Sequence, residues 1–136
     1  MIPGNPQGRV LMEGLNDPAL EQVAGFFRAM AEPLRLKILN VLRTRERNVS
    51  EITAELACSQ ANASKHLAVL AGSGLVEKRQ SGTSTYYRIR DPRIYELCDL
   101  VCGHVGARIG RDAALHDMFA HVAIKPRKAT AAKRAK

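Results

Sequence analysis

Residues 48–89 constrain this chain more than any other stretch, and within them the run SQANASKHLAVL at 59–70 most of all. Ahead of that run, NVSEITAEL reads as a short helix. Asn48 can cap it, and Glu51 stands three residues on, the spacing at which two side chains satisfy two orphan backbone N–H groups reciprocally. Ala57 and Cys58 form a brief turn. Ser59 can then accept a hydrogen bond from the first turn of a second helix. Two helices joined by so short a turn make a helix-turn-helix, whose second helix normally lies in the major groove of DNA.

The faces of the second helix agree with that placement. At about 100° per residue, Ala63, Leu67 and Leu70 fall on one side, and Ala61, Asn62, Ser64, Lys65 and Ala68 on the other. The latter side chains are polar but short, so a backbone carrying them can approach base edges closely. Gln60 and Asn62 suit adenine, Ser59 and Ser64 several edges, Lys65 guanine or phosphate, and Ala61 a thymine methyl. An ordinary solvated helix face has the same composition, so the isolated helix leaves both readings open.

The residues after the helix tip the balance. Gly72 and Gly74 end it. LVEKRQ, then SG, then TSTYYRIR predicts two strands about a tight turn at Ser81-Gly82. Lys78 and Arg79 flank the tip on one strand, and Arg88 and Arg90 lie beyond it on the other. A basic hairpin beside a recognition helix suits a wing that touches phosphate or the minor groove. The predicted fold class is therefore mainly α with a small β-hairpin wing, a winged helix-turn-helix.

Three Pro-containing dipeptides punctuate the rest. Residues 1–16 carry Pro3, Pro6 and several glycines and read as a flexible arm. Asp17-Pro18 starts a helix to about Met30, with Asp17 as cap and Leu20, Val23, Ala24 and Phe27 at helical spacing. Glu32-Pro33 starts another, with Leu34, Ile38, Val41 and Leu42 as its apolar face. Arg35 there suits a phosphate or an ion pair equally. Asp91-Pro92 starts a third long helix, on which Ile94, Cys98, Val101, Val105 and Ile109 form a stripe that a small winged helix does not need for its core. Gly103, Gly106 and Gly110 share another face and cost about 1 kcal/mol each against Ala. Close helix–helix approach would justify them, and a frayed or kinked helix is the alternative. The helix is expected to reach about Gly110, with residues 112–121 continuing it or forming a separate piece.

The chain of 136 residues is one domain by length, expected at 17–122 between the arm and a basic disordered tail at 123–136. No apolar run reaches the roughly 18 residues of a membrane span, and MIPGNPQGRV is no signal peptide. A cytoplasmic protein with no membrane partner is expected, and its three cysteines are expected as thiols. Six of the eight net positive charges sit in the tail, so the body is only mildly basic. The tail adds salt-sensitive attraction to DNA, or solubility alone.

The run AEPLRLKILNVL, the block SQANASKHLAVLAGSGLV and the hairpin EKRQSGTSTYYRI together resemble the ArsR/SmtB group of metal- and stress-sensing bacterial repressors, over roughly residues 20–105. The resemblance implies a homodimer that binds a double-stranded operator with an imperfect palindrome and leaves it when an effector binds. It also implies dimerisation through the terminal helices, with the stripe of the last helix facing the partner. The 17–122 domain would then serve both DNA binding and dimerisation.

The group's recurrent ligand positions are mostly unfilled. Where the arsenic-type pattern has thiolates, this chain has Asn48 and Ser50. The zinc-type pattern meets Asp91 and His104, but Arg93 and Ala107 occupy its other two positions. The cadmium/lead-type pattern meets Val69 and Ser73, and the persulfide-type pattern meets Asn40. What remains is Cys98-x-x-x-Cys102, two thiols one helical turn apart that can hold one soft ion or oxidise. Candidate third ligands are Cys58, His104 or His116 from either subunit, and candidate ions are As(III) or Sb(III), Cd(II) and Cu(I). Packing explains the cysteines as well, since each is a small apolar residue on or beside the stripe. A winged-helix repressor or protein-interaction module without a metal effector is thus the alternative. No enzyme is expected: His66, His104, His116 and His121 form no H-E-x-x-H pattern, no phosphate-binding glycine loop is present, and Ser64-Lys65 sits on the groove-facing helix.

Overall fold

The structure is a computed structural model that describes residues 11–109, 115 and 117–119. Two compact units make it up, Met1–Arg90 and Asp91–Lys136.

Polar caps begin each of the four α-helices described in the first unit. Of the segment expected as a flexible arm, residues 1–10 lie outside the described residues, and Met12–Gly14 form a single 3-10 turn. Helix α1 spans Asp17–Met30. Its cap is Asn16 rather than the expected Asp17. Asn16 has extended backbone, and its Oδ1 accepts the N–H of Ala19 at 3.0 Å. Asp17 instead supplies negative charge to the first turn, where the helix dipole favours it. Helix α2 spans Pro33–Val41, and Glu32 Oε1 accepts from the N–H groups of Leu34 (2.8 Å) and Arg35 (3.3 Å).

The helix-turn-helix forms as its caps predict. Helix α3, Val49–Leu56, carries both bonds of the expected box: Glu51 N–H to Asn48 Oδ1 at 2.8 Å and Asn48 N–H to Glu51 Oε1 at 3.0 Å. Ala57 then takes a left-handed conformation (φ 53°, ψ 45°), which turns the chain. Helix α4, Gln60–Gly72, is capped by Ser59 Oγ, which accepts the N–H of Asn62 at 3.1 Å. It ends with Gly74 at φ +85° and the Leu75 N–H returning 3.0 Å to the Leu70 carbonyl. That is a Schellman ending, and its left-handed position is one glycine adopts without strain.

Strands β2 (Val76–Ser81) and β3 (Ser84–Ile89) form the hairpin. Ser81 pairs with Ser84, so the turn is Gly82-Thr83 rather than Ser81-Gly82. Gly82, at φ +63°, fills the first turn position, where a two-residue hairpin of right-handed twist needs positive φ. A third strand goes beyond the sequence expectation: β1, Arg47–Asn48, pairs antiparallel with β3 and gives the order β1-β3-β2. Ile38, Leu39, Leu42, Ile52, Ala63, Leu67, Leu70, Leu75 and Val76 fill the core of this unit. Helix α1 is buried only at its end, at Ala29 and Met30, while Leu20 and Phe27 of its expected apolar face stay exposed.

In the second unit α5 spans Ile94–Arg108, starting later than Asp91-Pro92 suggests. Asp91 Oδ1 accepts the Arg93 N–H at 3.0 Å, and Ile94 N–H bonds the Asp91 carbonyl, so these residues make a turn that leads into the helix. The carboxylate also grips the Arg93 guanidinium, with Nη2 to Oδ2 at 2.8 Å. These bonds, the side-chain one first, hold Asp91 down to about 2. Along the expected stripe Val101 is half exposed, as is Leu100 beside it, while Ile94, Cys98, Val105 and Ile109 are half-buried. The helix stops two residues before Gly110, with Ile109 as its C-cap. Residues 117–119 are helical, and Phe119 lies against Gly106. In one continuous helix those residues would stand about 20 Å apart, so the later segment is a separate piece folded back on α5. The tail at 123–136 lies outside the described residues. Among the described residues no helix is long and apolar enough to cross a membrane.

Candidate nucleic-acid interface

Helix α4 divides cleanly. Ala63, Leu67 and Leu70 have no solvent exposure, while Ser59, Gln60, Ala61, Asn62, Ser64, Lys65 and Ala68 are all exposed. The short polar face expected at a groove is therefore the open face of a helix whose other side is locked in the core.

Part of that lock is polar. His66, on the inner side of α4, is 7% exposed. Its Nδ1 lies 2.9 Å from Arg35 Nη1, and because a guanidinium can only donate, Nδ1 accepts. Arg35 Nε donates to the Ala29 carbonyl at 2.6 Å, and His66 Nε2 stands 3.9 Å from Glu32 Oε1. Arg35 thus ties the end of α1 and the start of α2 to the recognition helix. Arg35 is thus engaged by an imidazole and a backbone carbonyl rather than by the ion pair that the sequence offers as one of its two roles.

The wing is less simple than a row of cations. Lys78 is exposed. Arg79 reaches Glu46, with Nε 3.3 Å from Oε1 and Nη2 bonded to Oε2, and its guanidinium lies 5.0 Å from the Tyr86 ring centroid. The hydrogen bond from Arg79 holds the Glu46 carboxyl below its usual range. Arg88 Nε sits 3.5 Å from Glu77 Oε2, its directly opposed cross-strand partner. Of the four wing cations singled out from the sequence, Arg79 and Arg88 are therefore ion-paired, while Lys78 and Arg90 are exposed. Glu46, Glu77 and Tyr86 were not anticipated in this role; the cross-strand register is the signal for Glu77 and Tyr86, and nothing local marks Glu46. Between the wing tip and the helix-turn-helix, Asn48, Val49, Ser50, Gln60, Thr83, Ser84 and Thr85 line a polar cleft of about 190 Å³.

Cys58, Cys98 and Cys102 are half-buried and carry no disulfide. Cys98 and Cys102 stand one turn apart on α5, whereas His104 is exposed and two residues past Cys102, hence on a different side of the helix. His116 lies outside the described residues. Among the described residues of one chain no three metal-ligating side chains come together.

Residues 32–78, which span α2, the helix-turn-helix and the start of the wing, match the family model "Bacterial regulatory protein, arsR family". The helix-turn-helix transcriptional regulator Rv0081 of Mycobacterium tuberculosis is 35% identical over 108 residues, 77% of this chain and 94% of that protein. The chain belongs to the ArsR family. A probable mercury resistance operon repressor of Streptomyces lividans is 38% identical over 77 residues, 57% of this chain and 62% of the repressor. Among solved structures, the homodimeric winged helix-turn-helix DNA-binding domain Mb0332 of Mycobacterium bovis superposes with a TM-score of 0.61 at 36% identity. That match covers 71% of this chain and 95% of the other. This ArsR-family chain is accordingly a winged helix-turn-helix DNA-binding transcriptional regulator of the ArsR/SmtB repressor type. Its family and fold are those of regulators and not of enzymes.

Proposed function

We propose that this ArsR-family protein acts as a homodimeric repressor on an operator with two related half-sites, an imperfect palindrome. The observation that carries the reading is the exposed face of α4, short and polar above a fully buried apolar face. Ser59, Gln60, Ala61, Asn62, Ser64 and Lys65 meet base edges and flanking phosphates in the major groove, and Lys78, with Arg79 and Arg88, gives the wing its charge toward the backbone. The dimer rests on the exposed apolar residues of α1 and α5, in keeping with the homodimeric M. bovis domain. Lys65→Ala weakens binding and lowers its salt slope by about 1 if Lys65 meets phosphate, or relaxes sequence preference if it reads guanine. Unchanged affinity and specificity would take α4 out of the groove.

For the effector, Cys98 and Cys102 are the sensing pair, for a thiophilic metal or metalloid or an oxidant. Two partly exposed thiols on one turn of α5 support this, and so does the likeness to a mercury resistance repressor. A third ligand would come from His116 or from the partner subunit. Bound there, an ion releases DNA only through its preference for the non-binding arrangement, typically about 1–3 kcal/mol. Titration of the reduced protein onto its upstream DNA by fluorescence anisotropy, with and without arsenite, tests it. Release that vanishes in the Cys98→Ser, Cys102→Ser double variant supports a thiol sensor. The second reading, a repressor without metal effector and with packing cysteines, is favoured by the half-buried state of Cys98 and Cys102 on or beside the apolar stripe of α5.

A further inference from the structure

The hairpin register sorts the wing's charges by face. Glu77 opposes Arg88 and Arg79 opposes Tyr86, so these four side chains share one face of the β2–β3 pair, while Lys78 and Tyr87 share the other. Glu46, from the segment just before β1, reaches over the first face and meets Arg79. Its carboxylate also feels Arg88. The result is a cluster of two arginines and two glutamates without net charge.

Arg79 is engaged on two sides at once. Nε and Nη2, the edge with which a guanidinium grips a phosphate, point to the two oxygens of Glu46, and the plane lies over Tyr86. We propose that Glu46 withholds Arg79 from the DNA backbone and so sets how many phosphates the wing neutralises. The proposal rests on the reading of the hairpin as a DNA-contacting wing. Glu46 occupies the Nε–Nη2 edge, so a phosphate takes that edge of Arg79 only in place of the carboxylate. Because both partners are partly exposed and screened, this trades one anion for another with little gain. Lys78, exposed on the opposite face, is then the wing cation that gains most from DNA.

The test measures binding of the chain to a short labelled duplex of random sequence by fluorescence anisotropy over a range of salt. Glu46→Gln frees Arg79. The salt slope should steepen by about 0.9, and affinity at 0.1 M salt should rise about eightfold, the gain that slope gives relative to 1 M. Adding Arg79→Ala to Glu46→Gln should remove the whole gain. A gain that survives Arg79→Ala is only the loss of a negative charge and overturns the proposal. So does Glu46→Gln binding that is unchanged or weaker while Lys78→Ala still weakens it, because Glu46 would then merely orient Arg79. If Lys78→Ala and both Glu46 and Arg79 variants are silent while Lys65→Ala weakens binding, the hairpin is not a DNA wing, and the reading beneath the proposal fails with it.

Discussion

Ala57 carries the sharp turn between α3 and α4 in a conformation that suits glycine. At φ 53° its Cβ crowds the following carbonyl, a cost of about 1–2 kcal/mol for an L-residue. Glycine avoids that cost but gives up about 0.5–1 kcal/mol of unfolded-chain entropy. Ala57→Gly should therefore stabilise the protein by roughly 0.5–1 kcal/mol, read as a higher midpoint in urea with an unchanged slope. Asp91 offers a second test of single-residue chemistry. Its carboxyl titrates at about 2 in the folded turn instead of the ordinary 3.8, because the Arg93 side chain and then the Arg93 backbone N–H bond its charged form. A lowered folded value means that the turn's contribution is complete above 3.8 and is lost as pH falls from there to about 2. NMR titration of the Asp91 carboxyl carbon should report the low midpoint. In Asp91→Asn the start of α5 should show no pH dependence in that window.

At the scale of elements, the caps explain what was legible. Glu32, Asn48 and Ser59 satisfy backbone N–H groups within three residues of themselves, so their bonds follow from short-range order and appear in the structure as the spacing predicts. Asn16 and Asp17 are two cap-competent residues in a row, and only the position of Pro18 at the second helical residue decides between them. Strand β1 is two residues long and exists only through β3, about forty positions away, so no local pattern announces it. The Arg79–Glu46 pair is equally non-local. Half of the candidate site was therefore readable, namely the exposed face of α4. The electrostatic state of the wing was not, because it depends on register. The glycines of α5 illustrate both sides. Close approach was one of two explanations for them, and at Gly106 it is the observed one: a Cβ there would stand 2.6 Å from Phe119 Cβ. Gly106→Ala should destabilise the second unit by about 1–3 kcal/mol from overpacking, in excess of the roughly 1 kcal/mol that helix propensity returns. Thermal melting followed by circular dichroism checks this. A stabilised variant would mean that the 117–119 segment moves aside at no cost.

For the whole molecule the decisive quantity is the second subunit. Leu20 and Phe27 on α1 and Leu100 and Val101 on α5 are large apolar side chains left in solvent by a single chain, although each helix is otherwise well formed. On the proposed operator, one recognition helix would contact one half-site. Linking two of them in a dimer makes the second contact intramolecular, which raises affinity by about 10²–10⁴ without any new contact to DNA. Leu100→Glu with Val101→Glu places charge on the exposed face of α5. The double variant should sediment as a monomer with its helical content retained. Its affinity for a two-half-site duplex should fall by about two orders of magnitude or more, toward its affinity for a single half-site. The salt slope should fall by about half, since half of the neutralised phosphates are lost. A variant that stays dimeric would move the subunit interface off this face of α5. A monomer that keeps both affinity and slope would mean that one chain suffices for binding, and that a ligand at Cys98 and Cys102 could not act through the arrangement of two subunits.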